Sequence, residues 1–161
     1  MTPPYNILFL CTGNSARSII SEALCNDMGG PDWRGYSAGS HPSGAPHLGA
    51  VHQLVSEGHE VGRYHSKSWD VFSAQGAPVM DIVITVCDNA ANEVCPIFPG
   101  DHIKLHWPAP DPAYIEPAKA RRAAFVKTYE IFKARIGALQ SLDMASASRE
   151  DMQAIAEKFP A

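Results

Sequence analysis

The sequence predicts an α/β fold of three layers, in which helices flank a central, mostly parallel sheet of four strands. Short apolar runs alternate with segments of helical periodicity along the chain, which is typical of strands joined by crossover helices. The run DIVITV at 81–86 carries apolar side chains on both faces, as a parallel strand covered by helices requires. A length of 161 residues suits one domain with its own core.

The first half of the chain predicts two strands and two helices. Residues 5–10 form an apolar strand, and residues 18–28 place apolar side chains at helical spacing until the turn at 29–31. A short strand is predicted over 33–38 and a loop over 39–44. A helix from about Pro46 to Gly58 follows, with its apolar side chains on one face.

The second half predicts two further strands and two helices. The strand at 81–86 ends at Cys87, another strand covers 102–107, and a proline-rich loop at 108–112 precedes a long helix over about 117–142. Ser148, with Asp151 three residues later, is typical of a helix start. We therefore expect a main domain over residues 1–145 and a C-terminal helical tail over 146–161.

Charge and cysteine content exclude several classes of protein. The chain has 13 basic and 17 acidic residues, scattered along its length, for a net charge of −4. We therefore expect no nucleic-acid partner. The N-terminal apolar run is short and lacks a preceding basic region, so we expect no membrane partner and a cytoplasmic location. The four cysteines, at 11, 25, 87 and 95, are too few and too uneven for an extracellular disulfide framework.

The loop after the first strand has the composition of an oxyanion site. The backbone N–H groups between a strand end and a helix N-terminus can point inward at an anion. The residues concerned are Thr12, Gly13, Asn14, Ser15, Ala16 and Arg17. Arg17 adds a planar, charged fork that suits two oxygens of such an anion. An alternative is a buried cysteine that ends a strand, with Arg17 in an ordinary surface ion pair.

Cys11 lies at the base of this loop and is the candidate nucleophile. The N–H dipoles and the guanidinium favour its thiolate, so we expect a lowered pKa for the Cys11 thiol. The Ser18 hydroxyl could donate a hydrogen bond to the sulfur and assist it as a leaving group. Cys25 lies on the first predicted helix without a partner in any motif, and core packing is expected for it.

The stretch CTGNSARS at 11–18 resembles the active-site loop of the low-molecular-weight protein tyrosine phosphatase fold family, and most closely that of its arsenate reductase branch. The resemblance continues through 37–39 (SAG), 84–91 (ITVCDNAA), Cys95-Pro96, and His106-Trp107 with 111–113 (DPA). The tail from about Ser146 lies outside it. The resemblance covers most of the chain and implies a catalytic domain over 1–145.

The resemblance implies that the loop binds arsenate, with phosphate or sulfate as analogues, and that Cys11 attacks arsenic while Asp111 donates a proton. Cys87 would then attack Cys11, which releases arsenite and leaves a disulfide. Cys95 would attack Cys87 and move the disulfide outward to an external thiol reductant. Two resolving cysteines favour thioredoxin over glutaredoxin. No tightly bound organic cofactor is implied.

Other hypotheses remain open for the same residues. A tyrosine phosphatase would use Cys11, Arg17 and Asp111 alone, although the residue after Asp111-Pro112 is Ala113, where phosphatases typically carry an aromatic side chain. A protein that binds oxyanions or senses oxidation without turnover is a third possibility. Cys87 and Cys95 could be small buried side chains, or could form a zinc site with His102 and His106.

Two features of the family are open to test in this sequence. Position 16 is alanine, where related enzymes commonly carry a second loop cysteine. The resemblance also implies a possible potassium site beside the loop. Its oxygen ligands would come from Asn14, Glu22, Ser37 and Asp70.

Overall fold

The computed structural model describes residues 1–161 and contains one four-stranded sheet. The strands are β1 (Tyr5–Cys11), β2 (Trp33–Gly39), β3 (Ile82–Thr85) and β4 (Ile103–His106). They lie in the order β2-β1-β3-β4, and all three pairings are parallel. The α/β class, the strand number and the parallel sheet predicted from the sequence are therefore confirmed.

Five α-helices connect or follow the strands. They are α1 (Arg17–Met28), α2 (Leu48–Ser56), α3 (Asp88–Asn92), α4 (Ala118–Gln140) and α5 (Arg149–Lys158). Short 3-10 helices cover Gly30–Asp32 and Trp69–Phe72. No helix combines the length and the apolar character that crossing a bilayer requires.

The two faces of the sheet pack against hydrophobic clusters of different size. Ile7 and Phe9 of β1 point into a large core with side chains of α1, α2, α4 and α5. Leu8 and Leu10 point to the opposite face, where a smaller cluster is completed by the 3-10 helix Trp69–Phe72 and by loop residues. This alternation follows from the period of two along a strand, and it determines on which side of the sheet each cysteine lies.

Strand register brings the candidate site together at the carboxyl edge of the sheet. Cys11 pairs with Gly39 of β2, and the N–H of Val86 donates to the Leu10 carbonyl at 2.9 Å. The position of Gly39 leaves no room for a side chain, because an added Cβ would lie 2.4 Å from the Thr12 carbonyl oxygen. The loop after β1 therefore lies directly against the end of β2.

The C-terminal helix docks on the edge strand β4. Ser148 and Asp151 form a reciprocal capping box at its start, as the sequence predicts. The Gln153 side chain accepts from the N–H of His106 at 2.9 Å and donates to the His106 carbonyl at 2.7 Å. The Trp107 indole donates to the Met152 carbonyl at 3.2 Å. Residues 149–158 thus belong to the packed fold.

Candidate active site

The loop Thr12–Arg17 presents its N–H groups and directs its carbonyls outward. The carbonyls of Thr12, Gly13 and Ser15 accept from backbone N–H groups of the segment 41–47. The N–H groups of residues 13–16, in contrast, donate to no acceptor in the protein. This asymmetry is the arrangement of an anion nest at a helix N-terminus, and the loop concerned is the one that the sequence predicts to bind an oxyanion.

Asn14 holds the loop in shape from within. Its side chain is fully buried and its φ of 45° is the only positive value at a non-glycine residue. Its Nδ2 donates to Ser18 Oγ and to Ser37 Oγ, both at 2.9 Å, and its Oδ1 accepts from the N–H of Lys67 at 2.9 Å. These three bonds fix a backbone conformation that is strained for a residue with a side chain.

The Arg17 guanidinium makes one hydrogen bond within the protein, through Nη1. Nη1 donates to the Ala109 carbonyl at 2.8 Å, and Nη2 lies 3.6 Å from Asp111 Oδ2. Its Nε is buried without a partner. The Asp111 carboxylate also accepts from the N–H of Ala113 at 2.9 Å. Both residues therefore lie beside the loop, on the wall of an open cleft of about 520 Å³.

Cys11 and Cys87 lie close together beneath the loop in one buried cluster, and each shifts the pKa of the other. The hydrogen bond that the Cys11 thiol donates to the Cys87 sulfur, together with the burial of the site, raises the pKa of Cys11. The hydrogen bond from Cys11 lowers the pKa of Cys87 to about 5 against the effect of burial, and the N–H of Ala90 adds to this lowering. The lowered pKa expected for Cys11 is therefore found on its partner.

Cys87 owes its position to a helix that the sequence analysis did not predict. It is the N-cap of α3, and its sulfur accepts from the N–H of Ala90 at 3.4 Å. The Thr12 hydroxyl lies 3.7 Å from the same sulfur and donates to Glu93 at 3.1 Å. The strand end, the loop and the start of α3 thus converge on one pair of thiols.

Cys95 lies apart from Cys11 and Cys87. It is partly buried and packs against the smaller cluster on the Leu8–Leu10 face of the sheet, whereas Cys11 and Cys87 belong to the large core. Burial raises the pKa of Cys95. Val94 and Ile97 on either side are 95% and 92% exposed. The structure therefore brings two of the three predicted relay cysteines together.

Three of the four residues predicted to bind potassium meet beside the loop. Ser37 donates to the carboxylate of Glu22 and accepts from Asn14. Asp70 is exposed on the 3-10 helix Trp69–Phe72 and makes no hydrogen bond or ion pair to this group. The cation in contact with Glu22 is instead the ammonium of Lys67, at 3.8 Å.

The remaining candidates have ordinary structural partners. Ser18 accepts from Asn14 and makes no hydrogen bond to the Cys11 sulfur, contrary to the expectation for this hydroxyl. Cys25 is buried in the core, where burial raises its pKa to about 12. His106 bonds to Thr85 and Asp88. No three metal-binding side chains of the histidine, cysteine or acidic type cluster together, so the zinc alternative is not supported.

Sequence reasoning missed Lys67, Glu93 and the Ala109 carbonyl. Each comes from a distant part of the chain. Lys67 contacts Asn14 and Glu22, Glu93 accepts from Thr12, and the Ala109 carbonyl accepts from Arg17. None lies in a motif with a recognisable spacing. Only the proline-rich composition at 108–112 indicated that a stiff segment would lie near the site.

The family model described as "Low molecular weight phosphotyrosine protein phosphatase" matches residues 6–146. The chain belongs to this family. Among curated members, it is 37% identical over 110 residues to an arsenate reductase of Halalkalibacterium halodurans, which covers 68% of this chain and 76% of that protein. It is 33% identical over 119 residues to an arsenate reductase of Bacillus subtilis, over 74% and 82% of the two chains. The family predicted from CTGNSARS is confirmed.

Solved structures of the family share the fold. The thioredoxin-dependent arsenate reductase of Corynebacterium glutamicum has a TM-score of 0.61 and 26% identity, over 85% of this chain and 60% of that longer one. A low-molecular-weight protein tyrosine phosphatase from T. tengcongensis has a TM-score of 0.57 and 25% identity, over 80% and 95% of the two chains. Both members of the predicted pair of activities therefore occur among its structural neighbours.

Proposed function

We propose that this protein is an arsenate reductase that uses Cys11, Cys87 and Cys95 in a disulfide relay. One observation carries the proposal: a second thiol, Cys87, lies beside Cys11 at the base of the oxyanion loop, in the same buried cluster and 3.7 Å from the Thr12 hydroxyl. Hydrolysis of a phosphate ester needs no such partner, whereas reduction of arsenate by two electrons needs two thiols. Curated relatives named arsenate reductases, at 33–37% identity, support this choice.

The first step forms a bond between Cys11 sulfur and arsenic. The inward N–H groups of the loop and the free edge of Arg17 bind the arsenate oxygens. One oxygen leaves as water after it takes the proton of the Cys11 thiol and a proton from Asp111, which lies beside Arg17. Because the thiolate is the nucleophilic form of cysteine, the Cys11 proton leaves the sulfur as the S–As bond forms.

The second step reduces arsenic. The Cys87 thiolate, favoured by its low pKa, attacks the Cys11 sulfur. The S–As bond breaks and its electron pair stays on arsenic, which becomes arsenite, while the two sulfurs become a disulfide. Cys87 follows β3, the strand that pairs with β1, so it lies beside Cys11 when this step begins.

The third step passes the disulfide to Cys95. Cys95 attacks Cys87, which forms a Cys87–Cys95 disulfide and releases Cys11. Because Cys95 packs on the opposite face of the sheet, this exchange requires that α3 and the residues after it rearrange. The exposed side chains of Val94 and Ile97 then flank a disulfide that an external dithiol can reach. The thioredoxin-dependent neighbour favours thioredoxin as that reductant, although glutaredoxin would satisfy the same chemistry.

Phosphate-ester hydrolysis is the second candidate function. Asp111 lies 3.6 Å from Arg17 at the rim of the cleft, where it could protonate an ester oxygen, and Tyr114 is 84% exposed nearby in the chain. This reaction would use Cys11, Arg17 and Asp111 and would leave Cys87 and Cys95 without a role. Both candidates assign catalysis to residues 1–145 and a supporting role to the helical tail at 146–161, and the relay suits a reducing compartment such as the cytoplasm.

The deciding experiment follows NADPH oxidation by the protein with thioredoxin and thioredoxin reductase after addition of arsenate. Arsenate-dependent turnover supports the relay and identifies the donor. A parallel assay with glutathione and glutaredoxin tests the other donor. Release of p-nitrophenol from its phosphate ester, without turnover of arsenate in either coupled assay, would establish the phosphatase instead.

A further inference from the structure

Beside the loop lies a buried ion pair that the mechanism above does not use. The Lys67 ammonium is 3.8 Å from Glu22 Oε1, and the two side chains are 13% and 11% exposed. The ammonium also donates to the His65 carbonyl at 2.8 Å. Burial raises the pKa of Glu22 and lowers the pKa of Lys67, and each charge opposes the shift of the other.

This ion pair connects directly to the residue that shapes the loop. The backbone N–H of Lys67 donates to Asn14 Oδ1 at 2.9 Å. The Glu22 carboxylate accepts from Ser37 Oγ, which accepts in turn from Asn14 Nδ2 at 2.9 Å. The Asn14 amide oxygen is therefore held by the backbone of Lys67, and its nitrogen is linked through Ser37 to the carboxylate that the Lys67 ammonium balances.

The same cluster does not fit a resident potassium ion. Of the four oxygen ligands that the family resemblance implies, Asp70 is exposed elsewhere and only Glu22 brings a negative charge. The ammonium already neutralises that charge, so an added cation would meet an adjacent positive charge in a site with little water. The charge of the lysine replaces the charge that a metal ion would supply.

We propose that Lys67 is the built-in cation of this site: its ammonium balances Glu22 and thereby positions Asn14 and the oxyanion loop, so that oxyanion binding is independent of potassium. Lys67 is a positioning residue, since it acts through Asn14 and Glu22. The proposal concerns the affinity of the loop for any tetrahedral oxyanion. Inorganic phosphate therefore tests it separately from the proposed reduction of arsenate.

The test measures phosphate affinity by calorimetry in potassium, sodium and choline chloride at equal ionic strength. The wild-type protein should bind phosphate equally in all three salts. Lys67→Met should weaken binding at least about tenfold in choline, because a displaced loop no longer aligns its N–H groups. Potassium, and not choline, should restore part of the loss. Lys67→Arg, which keeps the charge, should restore most of the affinity, and the exposed Lys127→Met is the matched control.

The double variant Lys67→Met, Glu22→Gln tests the charge balance. It also keeps the proposal testable if Lys67→Met alone fails to fold. Removal of both charges should recover part of the stability and phosphate affinity that Lys67→Met loses, as seen by thermal unfolding and calorimetry. Stronger phosphate binding by the wild type in potassium than in choline would overturn the proposal. So would wild-type affinity in Lys67→Met, or a double variant that recovers neither property.

Discussion

Arg17→Lys keeps a positive charge at the oxyanion loop and removes the geometry of the guanidinium. Arg17 donates to the Ala109 carbonyl through Nη1 at 2.8 Å, while its buried Nε has no partner and its Nη2 lies 3.6 Å from Asp111. A lysine has one nitrogen in place of this fork, so it can serve either the carbonyl or the oxyanion. If the ammonium binds the oxyanion, the variant still loses one of the bonds that the fork makes to that oxyanion, and it loses the bond to Ala109 that fixes the segment carrying Asp111.

The size of the effect follows from these two bonds. A hydrogen bond between charged groups contributes about 1.5–3 kcal/mol and an ordinary one about 1 kcal/mol. Their sum, roughly 2.5–4 kcal/mol, corresponds to a loss of about two to three orders of magnitude in kcat/KM at 1.4 kcal/mol per tenfold. The assay is the thioredoxin-coupled oxidation of NADPH with arsenate, and competitive inhibition by phosphate should weaken in parallel.

A matched control separates geometry from charge in this experiment. Arg34→Lys makes the same chemical change at an exposed position of β2 and should leave kcat/KM within about twofold, as surface substitutions usually do. If Arg17→Lys retained kcat/KM within threefold of the wild type while its phosphate inhibition was unchanged, the role assigned to the fork of Arg17 would be refuted.

Three further predictions concern the thiol pair and the segment before Asp111. Cys87→Ser should abolish repeated arsenate turnover in the coupled assay and spare any hydrolysis of p-nitrophenyl phosphate; continued arsenate turnover would exclude the relay. Alkylation of Cys87 by iodoacetamide, followed by mass spectrometry, should persist down to about pH 5 and fall below it, because the hydrogen bond from Cys11 lowers the pKa of Cys87 to about 5. In Cys11→Ala, which removes that donor, the midpoint should rise, and an unchanged midpoint would disprove that cause. Arg135→Met should lower the free energy of unfolding by about 2–4 kcal/mol and reduce kcat. The reason is that the buried guanidinium donates to the carbonyls of Trp107 and Pro108, both at 3.0 Å, in the segment before Asp111. An unaltered midpoint of denaturant unfolding would contradict this prediction.

The parts of the site that local sequence determines could be predicted. The loop at 11–17 follows from a strand, a glycine-bearing turn and a helix in immediate succession, and parallel strands that lie side by side end at the same edge of the sheet. Cys87, at the end of β3, therefore had to lie near Cys11 at the end of β1. The fold class followed from the same alternation of strands and helices.

The parts that depend on distant contacts could not be predicted. The sequence indicates a lowered pKa for Cys11 from its loop, but a neighbouring thiol reverses the direction. The packing of Cys95 on the other face of the sheet depends on how the chain leaves α3. The pairing of Lys67 with Glu22 joins a loop to a helix across the fold, and no spacing rule connects them. Each outcome depends on tertiary packing, which local propensity does not encode.

The docking of α5 also determines whether the edge strand β4 is open to pairing with another chain. An edge strand offers unpaired N–H and C=O groups that can template pairing with another chain. At β4, Gln153 uses its amide to occupy both backbone groups of His106, and the indole of Trp107 bonds to the same helix. The helix α5 lies beyond the residues matched by the family model. It covers one of the two edges of the sheet. Loss of α5 would expose the edge strand β4 to a second molecule and would leave the residues of the oxyanion loop unchanged.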